Sequence, residues 1–123
     1  MGYPYVLRAG GPLQVSTVHP AQRVIRAPAV LGLPTREEFR HAANELMDEM
    51  AEGNGQLVVD LSETREVDSS GLNVLVMIHR HASDRRQAVV LRGVGPQLEY
   101  LLVLTKLDDL FAFEPGVPTP PRG

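Results

Sequence analysis

The order of apolar runs and chain breakers predicts an α/β domain: a small mixed β-sheet of four to five strands, with three or more helices packed mainly on one face. Three observations carry this. Short runs rich in β-branched residues alternate along the chain with longer stretches of helical periodicity. Two of the short runs place apolar residues side by side, as strands covered on both faces do. Clusters of Gly and Pro separate the segments.

Leu13-Gln14-Val15-Ser16-Thr17-Val18 alternates apolar with polar and reads as a half-buried strand. A hairpin-like turn at His19-Pro20-Ala21-Gln22 leads to a second short strand over residues 23–27. Residues 28–34 hold Gly32 and two prolines and read as irregular. Thr35 and Glu38 stand at capping-box spacing and open the first helix. Phe39, Ala43, Leu46, Met47 and Met50 form its apolar face, and Gly53-Asn54-Gly55 ends it. A strand is expected over residues 56–61 and another over residues 88–92. Between them, residues 72–81 are apolar almost all round, which predicts a second, mostly buried helix entered through Asp68-Ser69-Ser70-Gly71. Gly93-Val94-Gly95 turns the chain, and Pro96 suits the first turn of a third helix whose inner face is Leu98, Leu101, Leu102 and Thr105. Residues 107–111 close the core, and Phe111-Ala112-Phe113 makes a short edge strand. A strand-helix-strand succession favours parallel pairing through right-handed crossovers.

The domain is expected over residues 12–113, with a tail at 1–11 and a Pro/Gly-rich tail at 114–123. The chain has 123 residues, enough for one domain with a real core. It has no cysteine, so neither a disulfide nor a thiolate metal site is available. A formal charge of -3 gives no electrostatic reason to expect nucleic acid or an anionic membrane as partner. The start lacks a basic region followed by an apolar run, and Val6 stands where a myristoylation start carries Ser or Thr. No apolar stretch approaches the ~20 residues that span a bilayer. A cytoplasmic location is the expectation.

Asp68-Ser69-Ser70-Gly71 holds the chemistry. At a helix N-terminus it exposes unpaired backbone N–H groups and the positive end of the dipole. Ser and Asp there serve equally as helix caps, and Gly as a point of close packing. A hydroxyl at that place is also wet and reachable, and a phosphate added to it is tolerated by the helix.

Val58-Val59-Asp60-Leu61, then Asp68-Ser69-Ser70-Gly71-Leu72 and Leu75, with Gly93 and Leu107-Asp108 downstream, resembles the STAS domain of bacterial anti-sigma factor antagonists. The likeness runs from about residue 13 to residue 113. It implies that Ser70, the second serine of the motif, is the phosphorylation site, with Asp68, Ser69 and Gly71 as its surroundings. It implies a non-enzymatic switch: the unphosphorylated domain binds an anti-sigma factor serine kinase and frees a sigma factor. Phosphorylation blocks that binding, and a serine phosphatase resets it. In the family an acidic Gly-Glu-Leu-Asp segment follows the second strand and helps to form the partner surface. Here the region reads Ala27-Pro28-Ala29-Val30-Leu31-Gly32, with both acids missing.

Asn73, Val74 and Met77 are expected on the exposed side of the second helix, either as partner contacts or as the rim of the core. Other signals lead nowhere. Leu98 fills the place of the third glycine in a dinucleotide fingerprint, and no phosphate-cradling Gly-rich loop with Lys is present. His79 and His81 are two apart and cannot form the i, i+4 pair of a zinc helix; His19 and His41 have no evident partners. No metal, cofactor, catalytic residue or small-molecule substrate is expected. Two other readings remain: a phosphate-independent STAS adaptor, such as a scaffold or lipid-transport accessory subunit, and a small hydrolase using Ser70.

Overall fold

The computed structural model describes residues 21–114. Both expected tails, the strand over residues 13–18 and the His19-Pro20 half of the expected turn lie outside them, apart from Glu114 itself.

Strand β1 (Ala21–Arg26) starts earlier than its apolar residues suggest, so Ala21 and Gln22 belong to the strand rather than to a turn. It leads to β2 (Val30–Leu31), α1 (Arg36–Asp48), β3 (Gly55–Asp60), β4 (Glu66–Val67), α2 (Ser69–Asp84), β5 (Ala88–Arg92), α3 (Pro96–Leu104), a single 3-10 turn (Asp108–Leu110) and β6 (Ala112–Phe113). The main sheet has the order β1-β3-β5-β6. All its described pairings are parallel, in registers such as Val24 beside Val58 and Val58 beside Val90. Parallel neighbours need long crossovers, and α1, α2 and α3 supply them. The antiparallel partner that would make this sheet mixed was expected at residues 13–18.

The three helices share one face. Leu57, Val59, Leu61, Val89 and Leu91 of the sheet form a single core with Phe39, Ala43 and Met47 of α1, Val74, Leu75 and Ile78 of α2, and Leu98 and Leu102 of α3. Phe111, at the end of the 3-10 turn, joins the same core and meets His79 edge to face at 5.7 Å between ring centres. On the opposite face the register aligns Arg26, Asp60 and Arg92 across three strands, and Arg92 continues the row through a two-point ion pair with Glu114. The backbone N–H of Ser62 holds the Asp60 carboxyl below its ordinary range, with Arg26 and Arg92 assisting.

Two local expectations need correction. Thr35 is the residue before α1, but its side chain does not cap the helix. Its hydroxyl donates to the Val30 carbonyl at 2.8 Å and accepts from the Gly32 N–H, so it braces the preceding turn instead of forming a capping box. Residues 28–34 are not wholly irregular, because Val30 and Leu31 pair in parallel with Glu66 and Val67. This two-strand patch is tied further by the Thr64 hydroxyl on the Pro28 carbonyl, 2.8 Å. Helix α2 runs to Asp84, with Arg85 and Arg86 in the turn that follows, as expected of the Asp84-Arg85-Arg86 segment, and Ala82 packs into the core.

Gln87, just before β5, is the buried polar side chain of the described core. Its amide Nε2 donates to the carbonyls of Met47, Met50 and Ala51 at 3.0–3.2 Å. Those carbonyls lie at the end of α1 and just beyond it. Met47 also accepts from the Met50 N–H and Met50 from the Arg85 guanidinium, so Gln87 adds a second donor to each and supplies the described donor to Ala51. Gln87→Met keeps the volume and removes the donor, and is expected to cost about 0.5–1.5 kcal/mol, the net worth of an ordinary hydrogen bond, because the Met47 and Met50 carbonyls keep other donors. A urea denaturation midpoint equal to that of the parent, at equal slope, would contradict this role.

Candidate functional site

Helix α2 begins where the chain leaves the small β2-β4 patch, so its first turn stands at the carboxyl end of the main sheet's strands. Asp68 is its N-cap: the backbone there is extended, and the carboxylate accepts the Gly71 N–H at 2.9 Å. The second carboxylate oxygen accepts the Leu33 N–H at 3.3 Å. Together with the Ser70 N–H, these backbone donors hold the Asp68 carboxyl below its ordinary range, with Gly71 the largest influence. An ionised acceptor at a helix N-terminus is also favoured by the dipole.

Ser69 and Ser70 are the first two helical residues. Ser69 is exposed and Ser70 partly so, while Gly71 is buried. The glycine is required by a close approach: a β carbon at position 71 would stand 2.1 Å from the Leu31 carbonyl oxygen and 2.9 Å from a Val67 methyl. Gly32 is matched to the same contact from the other side, since a β carbon there would lie 2.4 Å from an Asp68 carboxylate oxygen. Two glycines thus let the turn after β2 and the start of α2 lock around Asp68.

Residues three and four apart share a helix face. Ser70, Asn73 and Met77 fall on the outer side of α2, with Met77 39% exposed and the Asn73 amide resting on its sulfur. Val74 does not join them. It is 2% exposed and lies on the inner stripe with Gly71, Leu75, Ile78 and Ala82, which corrects the expectation that it faces outward. Two exposed apolar residues that the sequence reading did not single out border the same helix end: Val30 at 39% and Leu33 at 63%. Gly-Leu-Pro-Thr after an apolar pair was the available signal, but nothing local shows that its amide reaches a residue 35 positions on.

No group of three or more His, Cys, Asp and Glu residues converges among the described residues. His79 packs on Phe111 and His81 pairs with Asp48 at 2.9 Å. At 1.5 Å per residue they stand about 14 and 16 Å along α2 from Ser70, out of reach of its hydroxyl. No described helix is long and apolar enough to cross a membrane. What the site offers is a partly exposed hydroxyl at a capped helix end, beside an apolar rim.

A family model described as "Mlab, STAS domain" matches residues 15–112. Among solved structures, an anti-sigma factor antagonist (STAS) domain protein from Planctomyces limnophilus aligns with a TM-score of 0.65 and 20% identity, over 78% of this chain and 82% of that one. A Thermotoga maritima protein assigned as an anti-sigma factor antagonist aligns at 0.59 with 24% identity, over 73% and 77%. The anti-sigma factor antagonist SpoIIAA, in its unphosphorylated form, aligns at 0.58 with 15% identity, over 87% and 88%. At these identities the likeness is one of fold. No curated protein matches the sequence.

Two outcomes follow from the geometry. Gly71→Ala is expected to cost at least about 2 kcal/mol, because the displaced atom is backbone and not the end of a flexible side chain. Gly95→Ala, where nothing lies within 4 Å of the added carbon, is expected to cost less than about 1 kcal/mol; equal denaturation midpoints for the two variants would refute the contact. Asp68 has its folded pKa lowered from an ordinary 3.8. Its stabilising contribution is therefore complete above that value and is lost as pH falls through the lowered one. Asp68→Asn should flatten this acid limb of the stability curve, and an unchanged limb would assign acid sensitivity to other carboxylates.

Proposed function

The chain belongs to the STAS domain family, and on that premise we propose that it is a non-enzymatic, cytoplasmic anti-sigma factor antagonist switched by phosphorylation of Ser70. In the unphosphorylated state the domain binds an anti-sigma factor serine kinase and so releases a sigma factor; the phosphate blocks binding, and a serine phosphatase restores it. The observation that carries this is the placement of Ser70: second residue of α2, partly exposed, on the same outer stripe as Asn73 and Met77. Modification there adds about -1.5 to -2 charges to a docking surface. The core beneath is shielded by Gly71 and Val74, which face inward.

A second reading has a specific observation in its favour. The matching family model is of the Mlab type, and Val30 presents apolar surface in the segment where the antagonists carry the acidic residues of their kinase contact, with Leu33 exposed just beyond it. A STAS adaptor that binds its partner without phosphate control would suit that surface.

Incubation with the cognate kinase and ATP, followed by intact mass, separates the two. One phosphate is expected on the parent chain and on Ser69→Ala, and none on Ser70→Ala. Loss of the phosphate in Ser69→Ala instead would move the site to the neighbouring serine. In a pulldown, Ser70→Asp should lose the partner that the parent chain retains; undiminished capture favours the adaptor.

A further inference from the structure

On the reading that Ser70 is the phosphorylated residue, we propose that Asp68 is a positioning residue that relays the effect of the phosphate to the Gly32-Leu33-Pro34 turn, so that phosphorylation loosens an apolar part of the docking surface as well as charging it. Both oxygens of the Asp68 carboxylate are engaged, one by the Gly71 N–H at 2.9 Å and one by the Leu33 N–H at 3.3 Å. One side chain therefore joins the first turn of α2 to a turn from a distant part of the chain. Leu33, whose amide it holds, is the most exposed apolar side chain bordering this end of the helix, at 63%.

A phosphoryl group on the Ser70 oxygen enters this arrangement two residues further along. It brings acceptor oxygens that compete for the N–H groups of Ser70 and Gly71, which now face Asp68. It also repels the carboxylate, since two anions cannot share one set of donors without cost. The carboxylate must withdraw, and the longer of its two bonds, to Leu33, is the weaker. It cannot withdraw toward β2 unopposed: it already fills the space where a side chain at Gly32 would begin. Movement of Asp68 therefore displaces the Gly32-Leu33-Pro34 turn. On its far side that turn stays anchored, because the Thr35 hydroxyl holds the Val30 carbonyl at 2.8 Å and the Asp68 N–H reaches the Leu31 carbonyl at 3.3 Å. The change is confined to the Gly32-Leu33-Pro34 turn, of which Leu33 and Pro34 are exposed.

The test uses the full chain carrying phosphoserine at position 70, introduced by peptide ligation so that no kinase is needed. Amide hydrogen exchange at Leu33 is expected to quicken by about fivefold or more, with the amides of β3 and β5 unchanged. Asp68→Ala without phosphate should reproduce the faster exchange at Leu33. Exchange at Leu33 that is the same with and without phosphate overturns the coupling, and the β3 amides show in the same spectra whether each chain is folded. Binding of the partner to the same phosphoserine chain is read separately. If Leu33 loosens and the partner is still held, the coupling stands and the phosphate-controlled antagonist reading fails.

Discussion

At Gly71 a backbone carbonyl occupies the space that any other residue would need for its side chain, and the geometry of the putting-together of this surface follows from that approach. Leu31 contributes the oxygen, and its neighbour Gly32 makes the matching allowance for Asp68. The result is a cap that is not local to its helix. Asp68 satisfies a donor at the start of α2, as an N-cap does, and at the same time accepts from Leu33. The short β2-β4 pairing serves this contact: two residues on each strand suffice to bring Leu31 beside Val67 and so to aim the chain into α2. A surface assembled from two distant segments results: Ser70, Asn73 and Met77 on the outer stripe of α2, and Leu33 tied to the start of that helix through Asp68.

The legible parts of the fold were those whose signal is contained in one segment. Ala88–Arg92 is a bounded apolar run, and β5 has those limits. Pro96 opens α3 because a missing N–H costs nothing in a first turn. The parts that were not legible depend on partners elsewhere. A strand of two residues has no period to read, so β2 and β4 were invisible, and so was Leu33's link to Asp68. Thr35 carries the sequence of a capping residue, yet its hydroxyl finds the Val30 carbonyl first. Helix α2 shows a different limit. From Leu72 to Ile78 it has apolar residues at all but one position, so periodicity cannot choose between faces. The sheet chooses, by taking Val74, Leu75 and Ile78 inward and leaving Met77 out.

The Asp68-Ser69-Ser70-Gly71 segment was legible as a helix start, and each residue has a distinct place there. Asp68 caps, Gly71 packs, Ser69 faces solvent and Ser70 is partly covered. What composition could not show is that the cap of α2 also holds the turn carrying Leu33, so that cap and proposed contact surface are joined. Removing the acids that the family carries after the second strand would, in a surface of independent residues, merely delete charges. Here that stretch still meets Asp68, through the Leu31 carbonyl and the close approach at Gly32, and Leu33 just beyond it donates to the carboxylate, so the cap lies against an apolar rim.

Magnitudes place any switch at this site in the contact and not in the fold. A charge at a helix N-terminus gains only about 0.3–1 kcal/mol from the dipole, against total stabilities of about 5–15 kcal/mol for domains. The side of α2 that carries the core faces away from Ser70, so phosphate there neither opens a cavity nor buries a charge. Yet turning a bound population into a free one, from 99:1 to 1:99, takes about 5.5 kcal/mol of differential affinity. A helix-end effect is too small by a factor of five or more. In the proposed switch the remainder would arise where two surfaces meet, from a phosphate forced against a desolvated partner and from an apolar contact that no longer fits. The bond from the Leu33 N–H to Asp68 is what would bring both within reach of a phosphate on Ser70.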